Sequence, residues 1–304
     1  MNSRLKYQLL LHLTVLLWGF TGIIGKLIEL PSTLIVVYRM FLACLSLLLY
    51  AVFRKYSLQV SFKQLLQYLG VGCVVALHWI FFFEAIHVST VSVALATLSS
   101  ATLFTALLEP LFFKKRIVGY ELLFGVLIVV GLYLIFNYET QYLWGIIFSL
   151  ISAFCASLFT TLNSKLLLKY KKRAEVMSTY EMLGGFSSIG VYLWLFDPQQ
   201  FEIMPSISDS IYILILAIAC TAFAFVVSIE VMKELTPFTV TLSINMEPVY
   251  SILFALFIFG DDERMSVGFY VGALIILGTI LINAILKKRM KVAEKKRLKT
   301  EPLS

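Results

Sequence analysis

Charge is what this sequence has least of. Only 14% of its 304 residues are Asp, Glu, Lys or Arg, against about a quarter in soluble domains. With 60% hydrophobic residues and a mean hydropathy of +0.90, too little polar surface exists to cover a folded ball in water. A soluble enzyme and a disordered chain are thereby excluded. Cysteine is scarce as well. Cys44, Cys73, Cys155 and Cys220 lie far apart inside apolar runs, with no CxxC and no Cys/His spacing, so they read as small hydrophobic filler and a disulfide scaffold is excluded. No connection between apolar runs exceeds about 15 residues, which leaves no room for a soluble domain. The sequence contains no HExxH, GxSxG, phosphate-binding loop or CxxCH, and His12, His78 and His87 fall on separate segments. Neither a metal nor a cofactor is expected, and neither enzymatic chemistry nor intrinsic ATP-driven pumping has a motif to stand on.

What is present is a succession of apolar runs of about 20 residues, the length that crosses a bilayer as a helix. They predict an all-α integral membrane protein of ten transmembrane helices, at residues 7–27, 33–53, 65–86, 90–113, 118–136, 142–165, 175–195, 211–231, 237–259 and 266–286. Pro31-Ser32, Asp197-Pro198 and Thr236-Pro237 punctuate the breaks, as residues that end or start helices should. The first run lacks a small-residue cleavage site, so no cleavable signal peptide is expected.

Of the 25 Lys and Arg residues, eight fall in the tail 287–304, and Arg4, Lys6, Arg54, Lys55, Lys63, Lys114, Lys115, Arg116, Lys165, Lys169, Lys171, Lys172, Arg173 and Lys233 share its side. Only Lys26 and Arg264 flank the other side, and Arg39 lies within a run. The asymmetry predicts both termini in the cytoplasm, in a bacterial inner membrane. Because most of the net charge of +7 sits in the tail, it reads as attraction to a membrane surface and not as a nucleic-acid footprint.

The apolar runs also repeat. Gly125–Ile135 (GVLIVVGLYLI) and Gly272–Ile282 (GALIILGTILI) share six of eleven residues at an offset of 147, and Tyr38–Tyr50 matches Tyr180–Tyr192 at four of thirteen at an offset of 142. Two five-span halves follow, 1–138 and 139–286. Since five is odd, the second enters the membrane from the opposite side. The flanks agree: the fourth span ends in Lys114-Lys115-Arg116 and the ninth in Asp261-Asp262-Glu263. Inverted repeats of this kind build many secondary transporters.

These residues carry a resemblance to the EamA-type permeases of the drug/metabolite transporter superfamily. It rests on Trp18-Gly19 in the first span, Arg39 in the second, and Pro248, Glu263-Arg264, Ser266 and the Gly272/Gly278 helix in the last two. The sequence departs from the family at the fourth span, where Ala101 replaces the family's proline and an unusual Glu109-Pro110 is found. The resemblance implies export or import of amino acids, drugs or other metabolites.

A charge within a span costs about 2.5–3.5 kcal/mol on insertion scales, so intramembrane polar groups are the functional candidates. Arg39 is either a substrate contact or a snorkelling anchor. Its repeat partner Glu181 is a candidate for gating or protonation, and the mirrored placement puts the two in opposite leaflets. His78-Trp79 sits near mid-span, where the imidazole either meets substrate or a proton or is satisfied by a neighbouring helix carbonyl. Asn245 and Glu247 precede Pro248, whose ring leaves the Ile244 carbonyl without its helical donor and kinks the helix, offering polar groups to a cavity at membrane depth. Glu109-Pro110 reads as a second kink with an acid, Asn163 as able to face the cavity, and Lys26, Glu84 and Glu230 as solvated span ends.

The expected substrate-binding set is Trp18, Arg39, His78, Trp79, Asn163, Asn245, Glu247 and Tyr250. The candidates for proton coupling or gating are Glu109, Glu181 and Glu247. The expected function is alternating-access movement of a small amphipathic metabolite such as an amino acid, with export the direction that the family suggests. A membrane scaffold or sensor, a passive facilitator and an importer are the alternatives. The expected partners are the substrate, the bilayer and protons, with no oligomer required.

Overall fold

The computed structural model describes residues 3–114, 119–244 and 246–300, and among them helices follow one another with only short breaks. In chain order they are α1 (Ser3–Leu27), α2 (Ser32–Arg54), α3 (Phe62–His87), α4 (Val91–Leu98), α5 (Ala101–Phe113), α6 (Gly119–Tyr138) and α7 (Leu143–Tyr170). They continue as α8 (Ala174–Phe196), α9 (Ile207–Ala217), α10 (Ala224–Glu230), α11 (Pro237–Ile244), α12 (Glu247–Phe259) and α13 (Val267–Thr300). Local chemistry sets the ends. Ser61 and Ser206 open α3 and α9 with capping boxes to Gln64 and Asp209, and the Thr90 hydroxyl accepts from Val93 N at the start of α4, each relieving backbone donors that a first turn leaves unpaired. At the other ends of α2, α5 and α7, Lys55, Lys114 and Lys171 take left-handed φ values of 52°, 53° and 50°. A left-handed residue there turns the chain and returns its N–H to the last carbonyls. A lysine adds a cation where the helix dipole is negative, so the same residues stop the helix and weight one membrane flank with positive charge.

Two of the expected spans are interrupted. The fourth breaks at Ser99-Ser100 between α4 and α5, and the ninth breaks between α11 and α12, with Met246 in a turn just before α12. Pro248 accounts for the second break as expected. Helix α5 runs through Pro110 without interruption, and the break in this span lies about ten residues earlier, where two serines can trade helical bonds for tighter turns such as Ser100 N to Thr97 O at 3.0 Å and Leu103 N to Ser100 O at 2.9 Å. Between α9 and α10, residues Ile218–Phe223 form a π-helical turn, a local widening that is frequent at functional sites. Helix α13 continues to Thr300, into the segment expected as a separate basic tail.

The exterior is apolar and the interior holds the polar groups. Phe257 is 89% exposed and Phe53 80%, with Phe196, Trp194 and Leu111 also outward, while Arg39, Glu181, Ser152, Ser157 and Thr161 are buried. Such a surface fits hydrocarbon and not water. By length and composition, six described helical stretches could cross a membrane: Lys6–Leu27, Ser32–Arg54, Phe62–His87, Val91–Phe113, Thr140–Tyr170 and Ile207–Lys233. Shorter apolar stretches lie at Leu123–Tyr138 and Val267–Thr279. Helix α8 has the length but is diluted by Glu175, Glu181 and a run of Gly and Ser.

Packing is closest where glycines meet backbone. A Cβ on Gly72 of α3 would lie 2.0 Å from the Glu181 carbonyl of α8, and one on Gly184 would lie 2.4 Å from the Leu69 carbonyl. Helices α6 and α13 approach likewise through Gly131 and Gly272, the small-residue contact that lipid-embedded helices use. Helix α3 lies along both α7 and α8, α2 along α8, and α1 along α12 and α10, while α4 and α5 meet α7 on one side and α12 and α11 on the other.

Candidate functional site

The two interrupted stretches face each other, α4 against α12 and α5 against α11, and beside them opens a cavity with about 820 Å³ of empty space, its mouth included. Ser99, Ala101, Ile244, Glu247 and Pro248 line it from the two breaks. Trp18 and Thr21 of α1, Arg39 of α2, and His78, Trp79 and Phe82 of α3 line it as well. Ala156, Phe159 and Thr160 of α7 and Phe225 and Ser228 of α10 complete the middle of the wall. Met232 and Val240 extend it to the turn between α10 and α11. Hydroxyls and aromatic rings dominate, with one cation and one carboxylate.

The cation is Arg39, whose residue is fully buried. It is not a snorkelling anchor. Its Nε donates to Thr221 Oγ1 and its Nη2 to the Cys220 carbonyl at 3.4 Å, while its guanidinium carbon stands 4.0 Å from the centre of the Trp79 ring. A stacked cation of this kind is held in orientation as well as attracted. Both hydrogen-bond acceptors come from the π-helical turn. Thr221 passes its own proton to the Leu216 carbonyl at 2.8 Å, and Trp18 Nε1 donates to the same Cys220 carbonyl at 2.8 Å. The widened turn therefore ties α1 and α2 to the span containing α9 and α10. Arg39 Nη1 is buried without a partner among the described residues.

Glu247 opens α12 and is 6% exposed. Among the described residues its carboxylate has no hydrogen-bond partner, and it lies near enough to Arg39 for the two charges to interact, although no ion pair joins them. His78 lines the same wall. Its Nδ1 lies 2.9 Å from the Ser152 carbonyl and 2.8 Å from Ser152 Oγ, which donates to the His78 carbonyl at 2.9 Å. A carbonyl only accepts, so the network assigns the proton to Nδ1 and leaves Nε2 as the acceptor. The carbonyl-satisfied alternative describes Nδ1, and a ring facing the cavity describes the rest.

Trp18, Arg39, His78, Trp79 and Glu247 are thus brought together. Asn163 and Tyr250 are not, and both placements correct the expectation. Asn163 donates from Nδ2 to Glu181 Oε2 at 3.2 Å in a separate buried pair between α7 and α8. Tyr250 packs against Gly19, whose hypothetical Cβ would lie 3.3 Å from Tyr250 Cβ. Glu109 is buried on α5 outside the lining, and Asn245 lies outside the described residues. Glu181 makes no contact with Arg39, as the mirrored placement requires. Sequence reading missed Thr221 and the Cys220 carbonyl. A π-helical turn inside an apolar run leaves no periodic signal, and a backbone acceptor none at all.

Away from the cavity lining, polar contacts tie the end of α1 and the start of α4 to the turn after α12. Glu263, fully buried, accepts from Lys26 Nζ at 2.9 Å, Val91 N at 3.0 Å, and Ser92 N and Oγ at 2.9 and 2.7 Å. Lys26 is therefore not a solvated span end, since its ammonium is pinned to a buried carboxylate. On the same side, Ser32 donates to Glu84 at 2.8 Å and Glu29 N to Asp209 at 3.1 Å, so Glu84 too has a protein partner. Glu230 pairs with Lys233 at 2.6 Å near the opposite end.

The profile of the EamA-like transporter family matches residues 5–137 and 143–285. A protein of Archaeoglobus fulgidus named as an uncharacterized transporter is 26% identical over 295 residues, covering 93% of this chain and 99% of that one. A solved structure, titled only as the crystal structure of a protein, superposes with a TM-score of 0.70 at 16% identity, over 93% of this chain and 99% of its own, and so shows a shared fold.

Proposed function

The chain belongs to the EamA-like transporter family, and from that premise we propose that it is a secondary transporter that moves a small amphipathic metabolite by alternating access. It is an integral membrane protein and a transporter; the substrate, direction and mechanism are our reading. The observation that carries it is the cavity between two broken helices, lined as far as the α10–α11 turn. Broken helices around a mid-membrane cavity are a recurring construction of substrate sites in transporters.

Ten spans in two inverted halves, 1–138 and 139–286, with the tail from 287 and both termini in the cytoplasm, are part of the same reading. The interruptions support it, because residues 99–100 displaced by the repeat offset fall at the break before Pro248. The helix contacts support it too. Exchanging each span for its counterpart turns the α3–α7 contact into the α1–α10 contact. It returns α2–α8 and α6–α13 onto themselves and turns α4–α12 into α5–α11. In that orientation the cavity leads toward the cytoplasm and the Glu263 cluster closes the outside. Export is the direction we assign, from the family.

Of the three candidate acids for proton coupling, Glu247 is the one in the cavity wall, and we assign the coupling to it. Glu109 and Glu181 lie off the cavity. The test is flux from proteoliposomes holding the full chain. Wild-type flux should respond to an imposed pH gradient, and Glu247→Gln, which keeps shape but cannot titrate, should lose that response while retaining exchange. Wild-type flux indifferent to the gradient would instead establish a facilitator.

A further inference from the structure

Glu263 joins parts of the chain that are far apart in sequence. Its Oε1 accepts from Lys26 Nζ of α1 at 2.9 Å and from Val91 N at 3.0 Å, and its Oε2 accepts from Ser92 N and Oγ at 2.9 and 2.7 Å. One carboxylate after α12 thus holds two helices of the other half. It faces the first turn of α4, whose N–H groups carry partial positive charge. Lys26 Nζ also stands 4.5 Å from the centre of the Phe259 ring, at the end of α12. These contacts finish a seam that starts at the cavity. Trp18 and Thr21 of α1 and Glu247 and Pro248 of α12 line the cavity. Next along the seam, Ser251 Oγ donates to the Gly19 carbonyl at 2.7 Å, and Phe20 stacks on Phe254 with centroids 4.8 Å apart. Parting α1 from α12 along this line opens the cavity on that side, and it requires Glu263 to let go. Its partners stand at helix ends, where water can replace them once the seam parts, so the contact is releasable.

The opposite end is built alike except for the acid. At the repeat offset of 147, Phe259 and Glu263 correspond to Phe112 and Arg116. The lysine-over-ring contact recurs, with Lys165 Nζ of α7 standing 5.4 Å from the centre of the Phe112 ring. The helix start recurs too, since Thr236 Oγ1 accepts from Thr239 N at 3.3 Å as Thr90 Oγ1 accepts from Val93 N at 3.1 Å. The sequence, however, carries Lys114-Lys115-Arg116 in the place of Asp261-Asp262-Glu263. A cation in that place has the same sign as Lys165 and as the positive end of α11, so it supplies no such tie. We propose that Glu263 is a one-sided latch: it holds the outer end of the α1–α12 seam shut, releases when the cavity opens outward, and makes outward opening the less populated state of the resting protein. This rests on the transport reading and adds to it which of the two gates is held by charge.

Accessibility of the cavity in the full chain on intact cells tests this. Ala156→Cys, on the α7 wall of the cavity, is the reporter in a protein whose four native cysteines are replaced by alanine. An impermeant maleimide is added outside. Glu263→Gln keeps the shape and removes the charge, and Lys26→Met removes the cation. Labelling of the reporter should speed up at least roughly tenfold with Glu263→Gln, which weakens several charge-assisted hydrogen bonds at once. It should speed up about fivefold with Lys26→Met, the effect of one partly exposed ion pair. A parallel set keeps only Cys44, which is buried in the α2–α8 contact away from the seam. Cys44 should stay unreactive throughout, which separates an opened gate from a loosened protein. Should Glu263→Gln not reach the membrane, Lys26→Met decides alone. Reporter labelling equal to that of the unlatched background in the folded variants overturns the latch, and so does a rise matched at Cys44. Proteoliposomes holding the wild-type chain and loaded with a water-soluble metabolite extract report on transport separately. If extract components leave while labelling is unchanged by the variants, the latch alone is wrong. If no component leaves, the transport reading is wrong and the latch falls with it.

Discussion

The cluster around Glu263 makes a demanding claim on stability. Replacing Glu263 by Ala removes the acceptor for the first two backbone N–H groups of α4, Val91 and Ser92, and for the Ser92 hydroxyl, all buried. It also leaves Lys26 without its partner. The short helix α4 keeps only the Thr90 cap on Val93. Each buried donor left unpaired costs about 1–3 kcal/mol. Lys26, a quarter exposed, can rehydrate and adds little. The two N–H groups together therefore cost about 4 kcal/mol, which at roughly 2–4 °C per kcal/mol for a chain of this size class lowers the unfolding midpoint by roughly 10 °C. Lys26→Met is the informative comparison. It removes the cation and leaves three hydrogen bonds and a favourable helix N-terminus around the carboxylate, so its loss should be about 1 kcal/mol. Thermal unfolding of the purified protein in detergent, followed by tryptophan emission, reads both. A Glu263→Ala midpoint within two or so degrees of wild type would refute the reasoning, and so would a Lys26→Met loss larger than that of Glu263→Ala.

Two glycines on α3 should respond with opposite signs. A Cβ at Gly72 would sit 2.0 Å from a backbone oxygen, whereas Gly70 has nothing within 4 Å; Gly72→Ala should push α3 from α8 and cut the yield of folded, monodisperse protein, while Gly70→Ala should leave it equal or improve it by the helix propensity of alanine, about 1 kcal/mol. In single-cysteine variants labelled with an impermeant maleimide on intact cells, residues 140 and 203 should react from outside and residue 58 only after lysis. Labelling of 58 from outside would overturn the orientation. Trp18→Phe keeps an aromatic ring in the cavity and deletes the bond to the Cys220 carbonyl. It should slow flux and loosen the π-helical turn, read as faster hydrogen exchange across Ile218–Phe223, and unchanged exchange there would refute the tie.

Much of the architecture could be read from the chain because lipid imposes a simple rule: a segment that spans it must be apolar and satisfy its own backbone. Most apolar runs therefore appear as helices close to their expected ends, with the fourth and ninth interrupted and α13 running on to Thr300, and the lysines that weight one flank also terminate α2, α5 and α7. Pro248 announced the break between α11 and α12 through its missing N–H. Its counterpart before Ala101 has no proline, and Ser99-Ser100 breaks the helix through tighter backbone turns, with α7 and α12 packed alongside α4. The candidate charges were visible too, since each is costly among apolar residues. Which of them share a cavity was decided in three dimensions. Glu181 went to Asn163 and Glu263 to the start of α4, while Arg39 was held beside Glu247 by a carbonyl and a hydroxyl on a widened turn. A hydropathy pattern records how much a residue dislikes lipid. It carries no record of the backbone oxygens that will meet it, because those come from helices about 180 residues away.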